Sequence, residues 1–274
     1  MIEKVKSLRG YRLRSLDGDI GKVREFYFDD HFWTIRYLVA DSGNWLSSRQ
    51  VLISPYALSY VNQDEKTISV DLTQKQIEDS PALTSDEPVS RHFEQSYFAY
   101  YGLPTYWTGS YMWGAYPFFV RDAKSTSPPV PGEPVRDLHL RSTNAVTGYH
   151  IQATNGEAGH VEDFILDDRN WAIRYLVIDA GHWWSGKKFL ISPHWIERIS
   201  WGQSKVFINL SLEIIRQSPE YTGNSLITHD YETELHRHYN RSGYWVEEMA
   251  VKRSSLAAPS QNRDSRIEHE IRHL

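Results

Sequence analysis

The sequence predicts a mainly β protein with flanking helices (β+α): two small antiparallel β-barrels in tandem, each followed by C-terminal helices, related by a pseudo-twofold axis. Three observations carry this expectation. The segment FWTIRYLVADSGNWL at 32–46 returns as NWAIRYLVIDAGHWW at 170–184, so one module is written twice. Within the shared phrase apolar and polar side chains alternate, which is the period of a strand and not of a helix. Gly, Asp, Asn and Pro interrupt these short runs at about ten-residue spacing, the punctuation of a small barrel or sandwich.

The echo extends well beyond that phrase. Adding 138 to a position carries Gly10-Tyr11 onto Gly148-Tyr149, Asp29-Asp30 onto Asp167-Asp168, Trp33 onto Trp171, Ile53-Ser54-Pro55 onto Ile191-Ser192-Pro193, and Tyr106-Trp107 onto Tyr244-Trp245, with no gap. The repeat is therefore about 100 residues, a whole small domain. In the first copy, Arg12 to Leu16 forms a short strand and Asp17-Gly18-Asp19-Ile20-Gly21 a turn. Lys22 to Phe28 alternates only loosely, which predicts a bulge, and Asp29-Asp30 marks a tight turn. From Trp33 to Val39 the pattern places Trp33, Ile35, Tyr37 and Val39 on one face and Thr34, Arg36, Leu38 and Ala40 on the other. Val51 to Ile53 and Ile68 to Leu72 are further strands, and Pro55 ends one of them.

Helices follow each set of strands. Thr73 with Gln76 makes a capping box, and Pro81 stops the turn; Ser211 and Pro219 hold these places in the second copy. Farther on, Phe93, Tyr97 and Tyr101 fall four residues apart, as do Tyr231, Leu235 and Tyr239. Each trio lays one apolar stripe along a helix. Such a stripe docks on its own barrel or on the other, and these six residues are the candidates for packing between the two domains. The stretch YWTGSYMWGAYPFF, Tyr106 to Phe119, continues past the shared Tyr-Trp pair only after the first copy and is expected to help cement the pair. The expected organisation is 1–107 as the first barrel with its helical extension, 108–135 as an aromatic- and Pro-rich connection, 136–250 as the second barrel with its extension, and 251–274 as a polar tail.

Composition narrows the function. The 274 residues carry a net charge of −5, which disfavours a nucleic-acid binder that works by charge alone. No cysteine is present, so disulfides, thiolate nucleophiles and Cys-ligated zinc are excluded. No apolar run reaches the length of a signal peptide core or of a bilayer span; a cytoplasmic protein without membrane insertion is expected.

Two segments, YRLRSLDGDIGKVREFYFDD at 11–30 and YHIQATNGEAGHVEDFILDD at 149–168, are each followed by IRYLV and then LISP. In this order they resemble the PRC-barrel family, named for the photosynthetic reaction centre H subunit and found also at the C-terminal end of a ribosome maturation factor. The resemblance covers about 11–81 and 149–219. It implies a small antiparallel β-barrel that binds partners and has no common catalytic residue. The amino-terminal membrane helix of the H-subunit type and the amino-terminal domain of the maturation factor have no counterpart in this sequence.

Several residue groups invite a chemical reading. His269-Glu270-Ile271-Arg272-His273 spells H-E-x-x-H, but it sits in a charged tail with only Leu274 after it, and a third ligand is lacking. His229, His236 and His238 cluster near the end of the second copy, against His92 alone in the first; a solvated helix face is the plain reading and a metal site the sharper one. Arg36 and Arg174 recur with Asp41 and Asp179 and with the Asp pairs at the turn, and turn formation with inter-strand ion pairing is expected of them. The hairpins SGNWLSSRQ and AGHWWSGKK place Trp45 and Arg49, and Trp183, Trp184, Lys187 and Lys188, at related sites. Trp among cations can stack on a base or anchor a protein; it can equally cover the mouth of a barrel. The expected function is a non-catalytic protein-binding or scaffold protein with no cofactor and no metal, its protein partner unidentified and self-association open. The alternative is an RNA- or ribosome-associated assembly factor that uses the hairpins.

Overall fold

The computed structural model describes residues 2–43, 50–81, 89–107, 140–181, 186–223 and 226–246. The first half runs β1 (Ile2–Lys4), a single turn α1 (Val5–Leu8), β2 (Arg12–Arg14), β3 (Asp19–Asp29), β4 (Thr34–Asp41), β5 (Val51–Ile53), a 3-10 turn at Pro55–Ala57, β6 (Leu58–Asn62), β7 (Thr67–Val70), α2 (Gln74–Glu78) and α3 (Arg91–Tyr101). The second half repeats this order: β8 (Leu140–Ser142), α4 (Thr143–Val146), β9 (His150–Ala153), β10 (Gly156–Asp167), β11 (Ala172–Asp179), β12 (Lys188–Ile191), a 3-10 turn at Pro193–Trp195, β13 (Ile196–Ser200), β14 (Lys205–Ile208), α5 (Leu212–Arg216) and α6 (His229–His238).

Within each half the strands pair in one order, β6-β7-β2-β3-β4-β5 and β13-β14-β9-β10-β11-β12. The sheet is mainly antiparallel, but β2 with β7 and β9 with β14 run parallel. Among the described residues β5 does not pair with β6, nor β12 with β13, so the expected closed barrels are open sheets. In the first half the reason is visible: the Tyr97 hydroxyl, from α3, accepts from the Ser54 amide at 3.0 Å and donates to the Leu52 carbonyl at 3.0 Å. A side chain thus satisfies the edge of β5 that a closing strand would have used.

The halves merge through exchanged strands. β1 leaves its own half and pairs with β10, Ile2 opposite Asp167 and Lys4 opposite Ile165, while β8 pairs with β3, Leu140 opposite Asp29 and Ser142 opposite Tyr27. These two pairings are the same pairing under the 138-residue offset, which is a pseudo-twofold relation. On its axis Thr34 faces Ala172; the amides of Ile35 and Ile173 donate to the carbonyls of Trp171 and Trp33 at 2.9 and 2.7 Å. All fourteen strands among the described residues thereby belong to one sheet. Behind the seam, Phe28 meets Phe164 and Phe26 meets Trp171, with ring centroids 5.7 and 6.2 Å apart, inside one apolar core shared by both halves.

The described ring contacts of the helical stripes are within their own halves. Tyr97 with Phe98 packs on Tyr37, Val39 and Leu52 of its own half, flanked by Phe93 and Tyr101. Tyr239 lies 4.6 Å, ring to ring, from Trp195 of its own half, and Leu235 is wholly buried. The described hydrogen bonds of these helices also fall within their own halves, Leu140 of the exchanged β8 packing against the α3 cluster, and the seam is built by the exchanged strands and core aromatics. The cause is a bulge in β4. Tyr27 faces Tyr37 but Phe28 faces Ile35, so Arg36 is an extra residue, and the same shift falls at Arg174 in β11. A bulge reverses the alternation beyond it. Ile35, Leu38 and Ala40 therefore line the shared core, and Tyr37 and Val39 turn outward to an apolar surface that α3 covers.

Candidate binding groove and duplicated polar clusters

The turn that starts β4 is held by Asp29. Its carboxylate accepts the amides of His31 and Phe32 at 2.8 and 3.1 Å, and lies 3.3 Å from the guanidinium of the fully buried Arg36. Asp167 and Arg174 repeat the pair at 3.2 Å. The adjacent Asp30 points elsewhere and binds Arg141 of the second half at 2.9 Å. Asp41 and Asp179, grouped with the arginines in the sequence pattern, accept the amides of Gly43 and Gly181 at 3.1 and 2.7 Å. Arg36 and Arg174 thus pair with the turn aspartates, because the bulge brings them to the side of the sheet where those carboxylates lie.

Outside each pair stands a second polar layer supplied by the helix. In the first half the Glu94 carboxylate accepts from Tyr37 at 3.1 Å and from Tyr106 at 2.6 Å, and forms an ion pair with Arg91 at 3.1 Å. Arg36 lies 3.8 Å over the Tyr106 ring, a geometry in which the ring face attracts the cation. In the second half the Glu232 carboxyl lies 3.0 Å from the Tyr175 hydroxyl and accepts from Tyr244 at 2.9 Å, and Arg174 lies 3.9 Å over Tyr244. Burial pushes the tyrosine hydroxyls of Tyr37 and Tyr175 well above the usual phenol range, and the neighbouring glutamates push them further. They remain hydrogen-bond donors. With Glu94 and Glu232 buried, these clusters clamp each helix to its sheet.

Among the described residues the two halves differ beside the helix that follows each sheet. In the second, Trp195 packs between Tyr239 and His236, 4.6 and 5.1 Å ring to ring, and is only 4% exposed. Its counterpart in the first half is Ala57. A groove of about 420 Å³ opens there, lined by Tyr56, Ala57, Leu72, Tyr97, Tyr100 and Tyr101 among others. One contact holds the helix alike in both halves: the Tyr100 hydroxyl donates to the Gln76 carbonyl at 3.0 Å, and His238 meets the Ile214 carbonyl at 2.7 Å in the equivalent position. The indole is missing where the helix is held in the same way, though lining side chains differ as well, Tyr97 standing where the second half has Leu235. A smaller cavity of about 210 Å³ lies at the seam beside Lys4, Lys6, Glu162, Asp163 and Lys188; its mixed charges select no ligand sign.

Trp45, Arg49, Trp183 and Trp184 lie outside the described residues, as does the H-E-x-x-H stretch. The two described cations of the hairpins are engaged: Lys187 donates to the carbonyls of Arg216 and Ser218 at 2.9 and 2.7 Å, capping α5, and Lys188 binds Glu162 at 2.6 Å. Of the clustered imidazoles, His238 takes a backbone carbonyl, His236 the Tyr175 hydroxyl and His229 the edge of Trp245. They turn to separate partners, and no metal-binding group of His, Asp or Glu occurs among the described residues. Sequence reasoning missed Glu94, Glu232, Tyr106 and Tyr244 as cluster members. Their recurrence at the repeat offset was the available signal.

The family model of the PRC-barrel domain matches residues 2–77, from the exchanged strand β1 to α2. No curated protein matches the chain.

Proposed function

We propose that this protein is a non-catalytic scaffold in which two PRC-type units, the second at 140–216, form one platform and the first-half groove receives an aromatic side chain from a protein partner. A PRC-barrel domain fits a non-enzymatic assembly role in general, and such domains often mediate protein interaction. The observation that carries the groove is the exchange of Ala57 for Trp195. The second half displays, with its own indole packed on Tyr239, what fits beside the equivalent Tyr101. Aromatic anchors seated in a preformed pocket are the usual core of a protein interface. RNA association through the hairpins has less support here, since Lys187 and Lys188 are committed within the fold. No helix among the described residues is long and apolar enough to cross a membrane.

The test fills the groove from within. Wild-type protein and Ala57→Trp are compared for capture of a defined partner from native cells, with unfolding monitored in parallel. Retention by the wild type and loss by the variant, at equal or higher stability, supports the reading. Equal capture by both overturns it.

A further inference from the structure

The two helix clamps are charged by different means. In the first half the cation facing Glu94 is Arg91, a permanent charge, and Phe98 fills the space beneath. At the equivalent positions of the second half stand His229 and His236. His236 is 3% exposed; its Nδ1 lies 2.9 Å from the Ser242 carbonyl and its Nε2 lies 3.0 Å from the Tyr175 hydroxyl, which in turn lies 3.0 Å from Glu232 Oε1.

Counting protons along this chain is decisive. A carbonyl only accepts, so Nδ1 carries hydrogen. Tyr175 owns one hydrogen and has two neighbours, Nε2 and Oε1. It can donate to one of them; the other contact needs a proton from the histidine or from the glutamic acid. Tyr244 already gives its own hydrogen to Oε1. The full set of hydrogen bonds therefore exists only when His236 and Glu232 together hold one proton beyond that on Nδ1. We infer that this shared proton fastens α6 and the following turn, 239–246, to the second-half sheet, making the second clamp a pH-responsive latch and leaving the first clamp insensitive.

The surroundings fit a single proton. From β11, Arg174 lies over Tyr244 and repels a second positive charge; from β10, Asp167 is already paired with Arg174. Trp195 and Trp245 pack on the His236 ring at 5.1 and 5.0 Å and keep water away. On α6 itself, His229 faces Trp245 and acts on Glu232 through its charge, and Tyr239 stacks on Trp195. Burial lowers the His236 imidazole from 6.5, against the pull of the Ser242 and Arg241 backbone, and raises Glu232 from 4.5.

These directions fix the sign. Depressed His236 resists a second proton, so acid favours the opened segment, in which both groups protonate freely. Raised Glu232 resists loss of the first, so alkali favours the opened segment as well. Between the ordinary values of 4.5 and 6.5 the opened segment also carries one proton on the pair, and the latch is tightest there.

Hydrogen exchange of the full chain, corrected for intrinsic rates and followed by segment from about pH 4 to 8, tests this. Protection of 229–246 is expected to fall on both sides of the window, approaching about tenfold per pH unit, while 91–107 shows no such profile. His236→Phe, which copies Phe98, is expected to abolish the profile. If that variant does not fold, nitrogen NMR of the wild-type imidazole decides: the Nδ1–H form with Nε2 as acceptor is expected. The same pH profile in both segments, an unchanged profile in His236→Phe, or a neutral Nε2–H ring overturns the inference.

Discussion

Arg36 and Asp29 meet at 3.3 Å with both side chains almost wholly removed from water. A strand bulge puts the guanidinium there and a turn puts the carboxylate there, so the pair joins two local features into one corner. Arg174 and Asp167 rebuild that corner in the second half.

Removing one partner strands a buried charge. Asp29→Ala is therefore expected to lower stability by about 3–5 kcal/mol, read from denaturant unfolding. Asp29→Ala combined with Arg36→Met should recover part of the loss, because the uncompensated cation is gone. A cost below about 1 kcal/mol for the single change would mean that the corner is solvated.

Strong acid should loosen the second corner. Burial pushes Asp167 up, but hydrogen bonds from Arg169 and the charges of Arg174 and Arg169 outweigh it and hold the carboxyl below its usual 3.8. A depressed acid contributes stability above 3.8 that is lost as pH falls through its folded value. Arg169→Ala is expected to raise the Asp167 titration midpoint, as followed by carboxyl-carbon NMR. An unmoved midpoint would refute the assignment.

Lys187 is expected to matter to stability and not to salt-dependent binding. Its ammonium caps two carbonyls at the end of α5, so Lys187→Ala should cost about 1 kcal/mol. A variant of unchanged stability that loses RNA binding would return the hairpin to a nucleic-acid role.

The groove should be transferable. Trp195→Ala is expected to open in the second half the space that Ala57 leaves in the first, and to cost about 3–5 kcal/mol for the lost indole. Ala57→Trp should be neutral or stabilising if the tyrosine frame accepts it. Thermal unfolding of both variants checks the pair; equal destabilisation by both would show that the first-half groove does not accept an indole.

Much of this architecture could be read from residues. The repeat offset located equivalent strands in both halves, the capping box at Thr73 and Gln76 is present, and the loose alternation before Phe28 did mark irregular pairing. Period-two reasoning failed at Arg36, because one inserted residue exchanges the faces beyond it, and local sequence does not announce on which strand a bulge falls. The exchange of β1 and β8 was likewise hidden: IEK and LRS carry no mark of which half they pair with, and only tertiary packing decides. The aromatic stripes were visible, but their partner was not, since the outward Tyr37 and Val39 become an apolar face only after the bulge. Of the polar clusters, the arginine and aspartate were noticed while the glutamates and tyrosines passed as ordinary helix and loop residues.

The chain lacks cysteine, which permits a direct test of the seam. Thr34 and Ala172 face each other between flanking hydrogen bonds, an antiparallel site where Cα atoms lie about 4.5 Å apart and a disulfide closes without distortion. Thr34→Cys with Ala172→Cys, oxidised in the folded full-length protein and resolved by non-reducing electrophoresis and mass spectrometry, should give an intramolecular bond in nearly every molecule. Free thiols or only intermolecular links, in a double variant that folds, would contradict the joining of the halves at this axis.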